Sequence, residues 1–404
     1  MGSFIQLAVG RFEVDWGKNN MFVMHGDLFQ PSDVGRVSYA YWDQDEERII
    51  DVLKEGFSRP LGRVLPRLAL LGHSIDTAKA EFDSIERRVG ETLSITFEQL
   101  AGALIDLDVG SPIVDDSEDH DFGEFFEREI YVRLGLERYG GERWAARELG
   151  YALENLSAPT VLVLLGQNSK NLDQPVTWQF ADVIESGWAD RAEIFESLGR
   201  VRRFLIVTEG SSDARIIKHG LRLLRPDIAD FFTFVDMEEG YPFTGTGNLH
   251  KFSKGLVSIG IENRIVIVYD NDAEGVARHR DTLALNLPSN MRAICLPSSD
   301  RLREFPTEGP DGTGISDING KAAAIEAYLD LDFGESKEPV IRWTSYRSTE
   351  DVYQGELINK ERYYRRFLKL RELPVDYDRT GIELVLDAIT RACEDIAQQS
   401  IQFS

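Results

Sequence analysis

The stretches FLIVTEGSSD (204–213) and RIVIVYDNDAEG (264–275) decide how the second half of the chain reads. Each opens as a β-branched and aromatic run and ends in an acid, Glu209 in the first and Asp270 in the second. Short apolar runs of this kind are buried strands. Around them the period changes. Residues 211–224 place Ile216, Ile217, Leu221 and Leu224 on one side of a helix. Residues 231–236 form a strand, 248–259 a helix entered through Gly245-Thr246-Gly247, 273–285 a helix and 291–297 a strand. Strands alternating with helices predict a parallel α/β sheet covered on both faces, with ligands at the carboxyl ends of its strands. Glu209, Asp236 and Asp270 fall at such ends.

Further acids gather around the same two strand ends. Asp213 follows Glu209 by one helical turn, and Asp272 and Glu274 follow Asp270 at alternate positions. Carboxylates converging on one sheet edge repel unless a cation joins them. Hard oxygen donors select Mg²⁺ or Mn²⁺, which keep room for water and phosphate oxygens and polarise the phosphate they bind. The plainer reading of these residues is a set of solvated acids that happen to end strands. Gly245 and Gly247, ahead of a helix, can cradle a phosphate on backbone N–H groups, although a simple turn explains them equally well. Lys251, Lys254, Lys321 and Lys360 are candidates for the cation that stabilises phosphate charge, or are ordinary solvated lysines. The spacing Asp270-x-Asp272-x-Glu274-Gly275, with Asp281, also fits half of a calcium loop, but a strand precedes it where that loop needs a helix. His219, His250 and His279 have no ligand spacing.

VTEGSSD (207–213) and VYDNDAEG (268–275), about sixty residues apart, each ending a strand, resemble the TOPRIM fold of primases, topoisomerases and OLD-family nucleases. The segment from Asp317 to Leu329, with Ile325-Glu326 and Tyr328-Leu329, resembles an element of the OLD-like nucleases. This resemblance implies a metal-dependent endonuclease. Glu209, Asp270, Asp272 and Lys321 would be its catalytic residues, and Glu209, Asp213, Asp270, Asp272, Glu274 and Glu326 its Mg²⁺ or Mn²⁺ ligands. Gly245, Gly247 and Lys251 would be its phosphate contacts. MGSFIQLAVGRFEVDWGKNN, HGDLFQPSDV and RLALLGHSIDTAKAEF in the first half resemble HEPN/TOPRIM-associated bacterial proteins, which implies a setting in prokaryotic anti-phage defence. Several features depart from these families. There is no GxxxxGK[ST] loop, so the ATPase half of OLD-type proteins is absent, and no cysteine-rich ribbon accompanies the domain as in primases. Arg67 and His73 have a spacing tolerable for a HEPN ribonuclease, yet the residues between them are apolar or glycine.

The 404 residues divide into an expected N-terminal domain over 1–199, a TOPRIM catalytic domain over 200–335 and a helical C-terminal region over 336–404. The N-terminal domain reads as mixed, β-rich over 1–48 and then helical. Ile49, Leu53 and Phe57 recur every four residues, as on one helix face. VLVLL (161–165) reads as a strand and the acidic run 115–121 as a solvated loop, with helices over 125–135 and 142–155. Residues 321–329, 361–370 and 381–398 read as helices, and the Gly/Pro-rich stretch that begins near Asp300 as a loop. Two cysteines without a CxxC pair exclude a disulfide framework and point to a reducing cytoplasm. No secretory leader and no membrane span are expected.

The net charge of −24 opposes unaided binding to polyphosphate. Residues 200–264 lean positive, with 10 Lys/Arg against 8 Asp/Glu. A partner protein or a homo-oligomer is therefore expected to supply basic surface, and the substrate is DNA or a structured RNA such as tRNA. Two other readings remain open here. One is a topoisomerase- or primase-like nucleotidyl-transfer enzyme, which lacks an identifiable active-site tyrosine; the other is a non-catalytic metal-binding interaction module.

Overall fold

The segment RIIDVLKEGFSRP, read above as the start of a helix, forms a strand. A spacing of four satisfies a period of two as readily as one of 3.6, and β-branched Ile50 and Val52 favour the extended form. In a computed structural model, strand β3 (Val34–Asp43) pairs antiparallel with β4 (Arg48–Pro60), from Val34 opposite Phe57 to Asp43 opposite Arg48. The structure describes residues 7–10, 12–15, 23–43, 47–89, 95–110, 130, 133–134, 152–153, 155–198, 203–235, 246–310, 312–334, 338–348 and 350–402. Asp236, Gly245, the acidic run 115–121 and most of the helices expected over 125–135 and 142–155 lie outside these.

The chain folds as two units, Met1–Val201 and Arg202–Ser404. In the first, β1 (Leu7–Val9), β2 (Phe12–Glu13) and β5 (Pro175–Gln179) join β3 and β4 in one antiparallel sheet of order β2-β1-β5-β4-β3. The order from strands to helices is thus broken, because β5 returns from the end of the unit to the middle of the sheet. It brings Trp178, fully buried, against Phe29, Phe57 and Phe180 at ring distances of 6.1, 5.7 and 5.8 Å. Helices α1 (Leu61–Leu71), α2 (Ile75–Val89) and α3 (Phe97–Ile105) contribute to the same core. The run VLVLL is helical, not a strand: it lies in α4 (Ala158–Leu165), capped by Ser157, whose Oγ accepts from Thr160 N–H at 3.4 Å. Apolar residues all round it are buried, so it shows no periodicity to read. Arg67 is also fully buried. Its Nε donates to the Asp27 carbonyl at 2.9 Å and its Nη2 to the Phe29 carbonyl at 3.1 Å, a structural use of the residue that the HEPN reading would have made catalytic. Short helices α5 (Ala181–Glu185) and α6 (Arg191–Ser197) close the unit.

The second unit is built as expected around a parallel sheet, order β10-β8-β6-β7, from β6 (Phe204–Thr208), β7 (Phe232–Phe234), β8 (Arg264–Tyr269) and β10 (Met291–Cys295). Every residue of β8 is buried, which a strand covered on both faces requires. Helices α7 (Ser211–Leu224), α8 (Thr246–Ser258) and α9 (Ala273–Leu283) are the crossovers. Ile265, Ile267 and Tyr269 pack with Leu249 and Leu256 of α8. The long C-terminal helix α11 (Thr380–Gln402) packs on β8, β10 and α7.

Beyond this sheet the sequence reading needs correcting. The expected helix over 321–329 is a two-residue strand, β13 (Ala322–Ala323), paired antiparallel with β9 (Asn271–Asp272), and then a 3-10 turn over Ile325–Tyr328. The three alanines that suggest a helix instead let this backbone lie close against Asn271–Asp272. The Gly/Pro-rich loop contains a hairpin, β11 (Phe305–Gly309) with β12 (Gly312–Ser316), turned at Gly312 with φ +104°. The C-terminal region is not all helical. It begins with β14 (Ile341–Arg347) and β15 (Val352–Leu357), which complete a sheet of order β12-β11-β14-β15, before α10 (Lys360–Leu368). Alternation in IRWTSYR and VYQGEL carries that strand signal. Among the described residues no helix is long and apolar enough to cross a membrane.

Trp178 is the centre of the aromatic stack. Trp178→Ala is expected to destabilise the first unit by about 3–5 kcal/mol, read as a lowered urea midpoint. A loss below about 1 kcal/mol would show that the stack does not organise this core.

Candidate metal centre

Parallel pairing of β6 with β8 puts Thr208 beside Val268, so the residues that follow leave the sheet side by side. There the Asp270 backbone N–H donates to Glu209 Oε1 at 3.0 Å. The chain then turns sharply into α9. Asp272 caps that helix, its Oδ1 accepting from Gly275 N–H at 2.7 Å. Gly275 permits the turn: a Cβ there would stand 2.2 Å from the Asp270 carbonyl oxygen. Asn271 is buried and takes the Gly320 N–H at 2.9 Å, while the Asp272 backbone bridges to Lys321.

Asp213 sits in the first turn of α7, 9% exposed, accepting the Gly210 N–H at 2.9 Å. Glu326, 4% exposed, comes from the 3-10 turn. Burial pushes the Glu209 carboxyl up to about 8, with the charges of Asp272, Asp213 and Glu274 adding to the effect. Asp213 rises to about 7 through burial and then the charge of Glu326. Asp270 is raised well above the carboxylate range by burial and by Asp213, Glu209, Asp272 and Glu326. Burial likewise raises Asp272 and Glu326, against the hydrogen bonds from Gly275 and Gln354 in the first case and the Lys360 ammonium in the second. Five expected ligands are therefore electrostatically one group. The sixth, Glu274, adds its charge and is held by the Thr246 hydroxyl.

Glu209, Asp272 and Glu274 open, with Thr246, Gly247, Asn248 and Lys251, onto a cavity of about 360 Å³. Gly247 and Lys251, expected at phosphate, thus lie beside the acids. Lys321 is absent from that lining: its main chain meets Asp272, and the residue lines a different cavity, of about 520 Å³, with Trp343 and Tyr353. Three participants escaped the sequence reading. Gln354 of β15 donates to Asp272 Oδ2 at 2.5 Å and accepts the Glu274 N–H at 3.1 Å. Thr246 is the second. Cys295, at the end of β10, donates its S–H to the Asp270 carbonyl at 3.1 Å, and burial with the nearby acids pushes its thiol up to about 12. The strand-end rule reaches Cys295; nothing local in VYQGEL marks Gln354.

As placed, no three His, Cys, Asp or Glu side chains among the described residues form a set that holds an ion alone. The donor chemistry nevertheless fits a hard divalent cation. Mg²⁺ takes one or two carboxylates and completes its octahedron with water and phosphate, and buried carboxylates that raise one another's pKa gain from a shared positive charge.

The family model described as HEPN/Toprim N-terminal domain 1 matches residues 1–202, half of the chain. The chain belongs to the HEPN/Toprim N-terminal domain 1 family. No curated protein and no solved structure matches it. Membership of the HEPN/Toprim N-terminal domain 1 family rests on the first unit and gives the chain a nuclease-related context; the acid cluster lies in the second unit, beyond the matched residues.

In this HEPN/Toprim chain the raised carboxyls set a pH dependence. Glu209 and Asp213 hold protons in the folded state up to about 8 and 7, whereas ordinary values are 4.5 and 3.8. The folded state therefore binds more protons across that window, and stability falls as pH rises through it. Without metal, the melting temperature should fall by several degrees from pH 5 to pH 8, at about 2–4 °C per kcal/mol. Mn²⁺ should restore more at pH 8 than at pH 5, and Asp213→Asn should flatten the slope. A level profile that neither Mn²⁺ nor the substitution alters contradicts this account.

Proposed function

We propose that the second unit is a TOPRIM-type, OLD-like catalytic domain, and that the protein is a divalent-metal-dependent nuclease cleaving phosphodiester bonds of DNA or structured RNA. One observation carries the reading: acids from the ends of two adjacent parallel strands meet at a site where burial and the charges of Asp213, Glu209, Asp272 and Glu326 together raise the Asp270 carboxyl. Glu209, Asp270 and Asp272 are the residues proposed to hold Mg²⁺ or Mn²⁺, with Asp213, Glu274 and Glu326 behind them. Bound there, the ion supplies Lewis-acid polarisation of a phosphate oxygen.

The chain's own groups do the rest. Gly275 and the Asp272 cap fix the turn, so that the acids cannot move apart. Gln354 donates to one oxygen of Asp272 and the Gly275 N–H to the other, which together orient the carboxylate. Gly247 and Lys251, at the first turns of α8, face the same cavity and suit a phosphate oxygen. Glu209 lines the cavity beside Asp272 and Glu274, where it would take part in holding the ion. The family context supports placing this activity in a prokaryotic anti-phage system.

Asp270→Asn and Asp272→Asn should each lower cleavage of plasmid DNA or tRNA by about a thousandfold, or about 4 kcal/mol of barrier, while leaving the circular dichroism spectrum intact. EDTA should abolish cleavage and Mn²⁺ restore it. Cleavage that survives excess EDTA, or that both variants retain, contradicts the proposal.

A further inference from the structure

Helices α7 and α10 pack side by side. Arg215 Nη1 donates to Tyr364 Oη at 2.9 Å, and the His219 ring meets Phe367 edge-on at 5.1 Å. Ile216 and Ile217 of α7 and Tyr363 and Phe367 of α10 are buried. The exposed side is cationic: Arg215, Lys218 and Arg222 on α7, Arg362 and Arg365 on α10, and Lys369 just after it. Over residues 211–225 and 360–372, ten Lys/Arg stand against three Asp/Glu, a net +7 in a chain of −24. The rest of residues 202–404 holds 16 Lys/Arg against 30 Asp/Glu. A solubilising helix face alternates its signs; this one does not. The Arg365–Glu361 pair at 2.6 Å is exposed and worth little, so an incoming anion displaces it readily.

The face also has relief and direction. A hollow of about 690 Å³ is lined by Glu361, Arg362, Arg365, Arg366 and Lys369, four cations against one acid. Another, of about 490 Å³, lies between the two elements among His219, Arg222, Lys369 and Arg371. Both helices begin at the acid cluster. Asp213 is in the first turn of α7, and α10, which begins at Lys360, packs on the 3-10 turn that carries Glu326. From there α7 runs about 20 Å, the length of about six phosphates along one strand of a duplex. An amphipathic membrane-binding helix offers its aromatic side to the lipid; here Tyr363 and Phe367 are turned inward.

We propose that the joined exposed faces of α7 and α10 are a phosphate track that grips the sugar–phosphate backbone of the nucleic acid whose scissile bond lies at the acids. This rests on the nuclease reading above and extends it. Where the charge pattern of the sequence pointed to a partner for basic surface, the fold assembles such a surface from two segments that lie about 140 residues apart.

The track is tested by binding without cleavage. The full chain in EDTA is titrated against a fluorescent single-stranded 30-mer DNA and a labelled tRNA, by anisotropy, from 50 to 200 mM salt. A second titration uses vesicles of phosphatidylserine and phosphatidylcholine. The triple change Arg362→Gln, Arg365→Gln, Lys369→Gln should weaken nucleic-acid binding about tenfold or more and reduce the log–log salt slope by about two, since each phosphate contact on a single strand contributes about 0.7. Arg215→Gln, Lys218→Gln and Arg222→Gln together should do the same, and guard against misfolding of the first variant, with circular dichroism as the check on both. The track is overturned if the wild type binds neither nucleic acid, if both triples bind within twofold and with the same slope, or if the vesicles are the tighter ligand and the one lost. Binding that falls as expected in a protein that never cleaves keeps the track and removes the nuclease reading. Unaltered binding with cleavage abolished by Asp270→Asn does the reverse.

Discussion

The second unit is organised around a single electrostatic problem, the burial of carboxylates against one another at the ends of β6 and β8. Neither strand can relieve it by moving. β8 is buried along its whole length between β6 and β10, and its backbone is committed to both neighbours. The turn after Asp270 is equally fixed, because Gly275 lies against the Asp270 carbonyl and Asn271 is anchored to Gly320. In a medium of low polarity such a cluster either keeps protons or takes a cation. The raised carboxyls of Glu209, Asp213 and Asp270 express the first choice, and the proposed metal the second.

Much of this was legible in the sequence, for a physical reason. A parallel strand covered on both faces must be continuously apolar, so FLIVT and RIVIVY announce themselves, and an acid directly after such a run has only the sheet edge to occupy. Glu209 and Asp270 follow from that, and Asp213 follows from helical spacing. Elements set by distant pairing were not legible. Ala322–Ala323 is a strand only because β9 lies opposite, and Gln354 reaches Asp272 only because a hairpin from the C-terminal region folds back. VLVLL misled because a helix buried all round has no period, and Ile49, Leu53 and Phe57 misled because four residues fit both periods.

Charge follows the same division between local and assembled. Residues 1–200 carry 19 Lys/Arg against 36 Asp/Glu, whereas residues 360–372 alone carry six Lys/Arg against two Asp/Glu. The cationic face exists because α7 and α10 pack side by side with Ile216, Ile217, Tyr363 and Phe367 buried. Hydrophobic burial thus determines where the cations collect, along two helices that start beside the acids and lead away from them. Anionic and cationic groups separated in this way suit a polyanion whose backbone is held along one side while one phosphate meets the carboxylates.

The central claim is that the acid cluster exchanges protons for a divalent ion. Calorimetric titration of the full chain with Mn²⁺ at pH 7, in two buffers of different ionisation enthalpy, counts the protons released on binding. Carboxyls held at about 7 and about 8 in the metal-free fold predict net release of at least about one proton for each ion bound, and loss of that release in Asp270→Asn. Binding without proton release, or binding that Asp270→Asn leaves unaltered, would place the metal elsewhere and contradict the account.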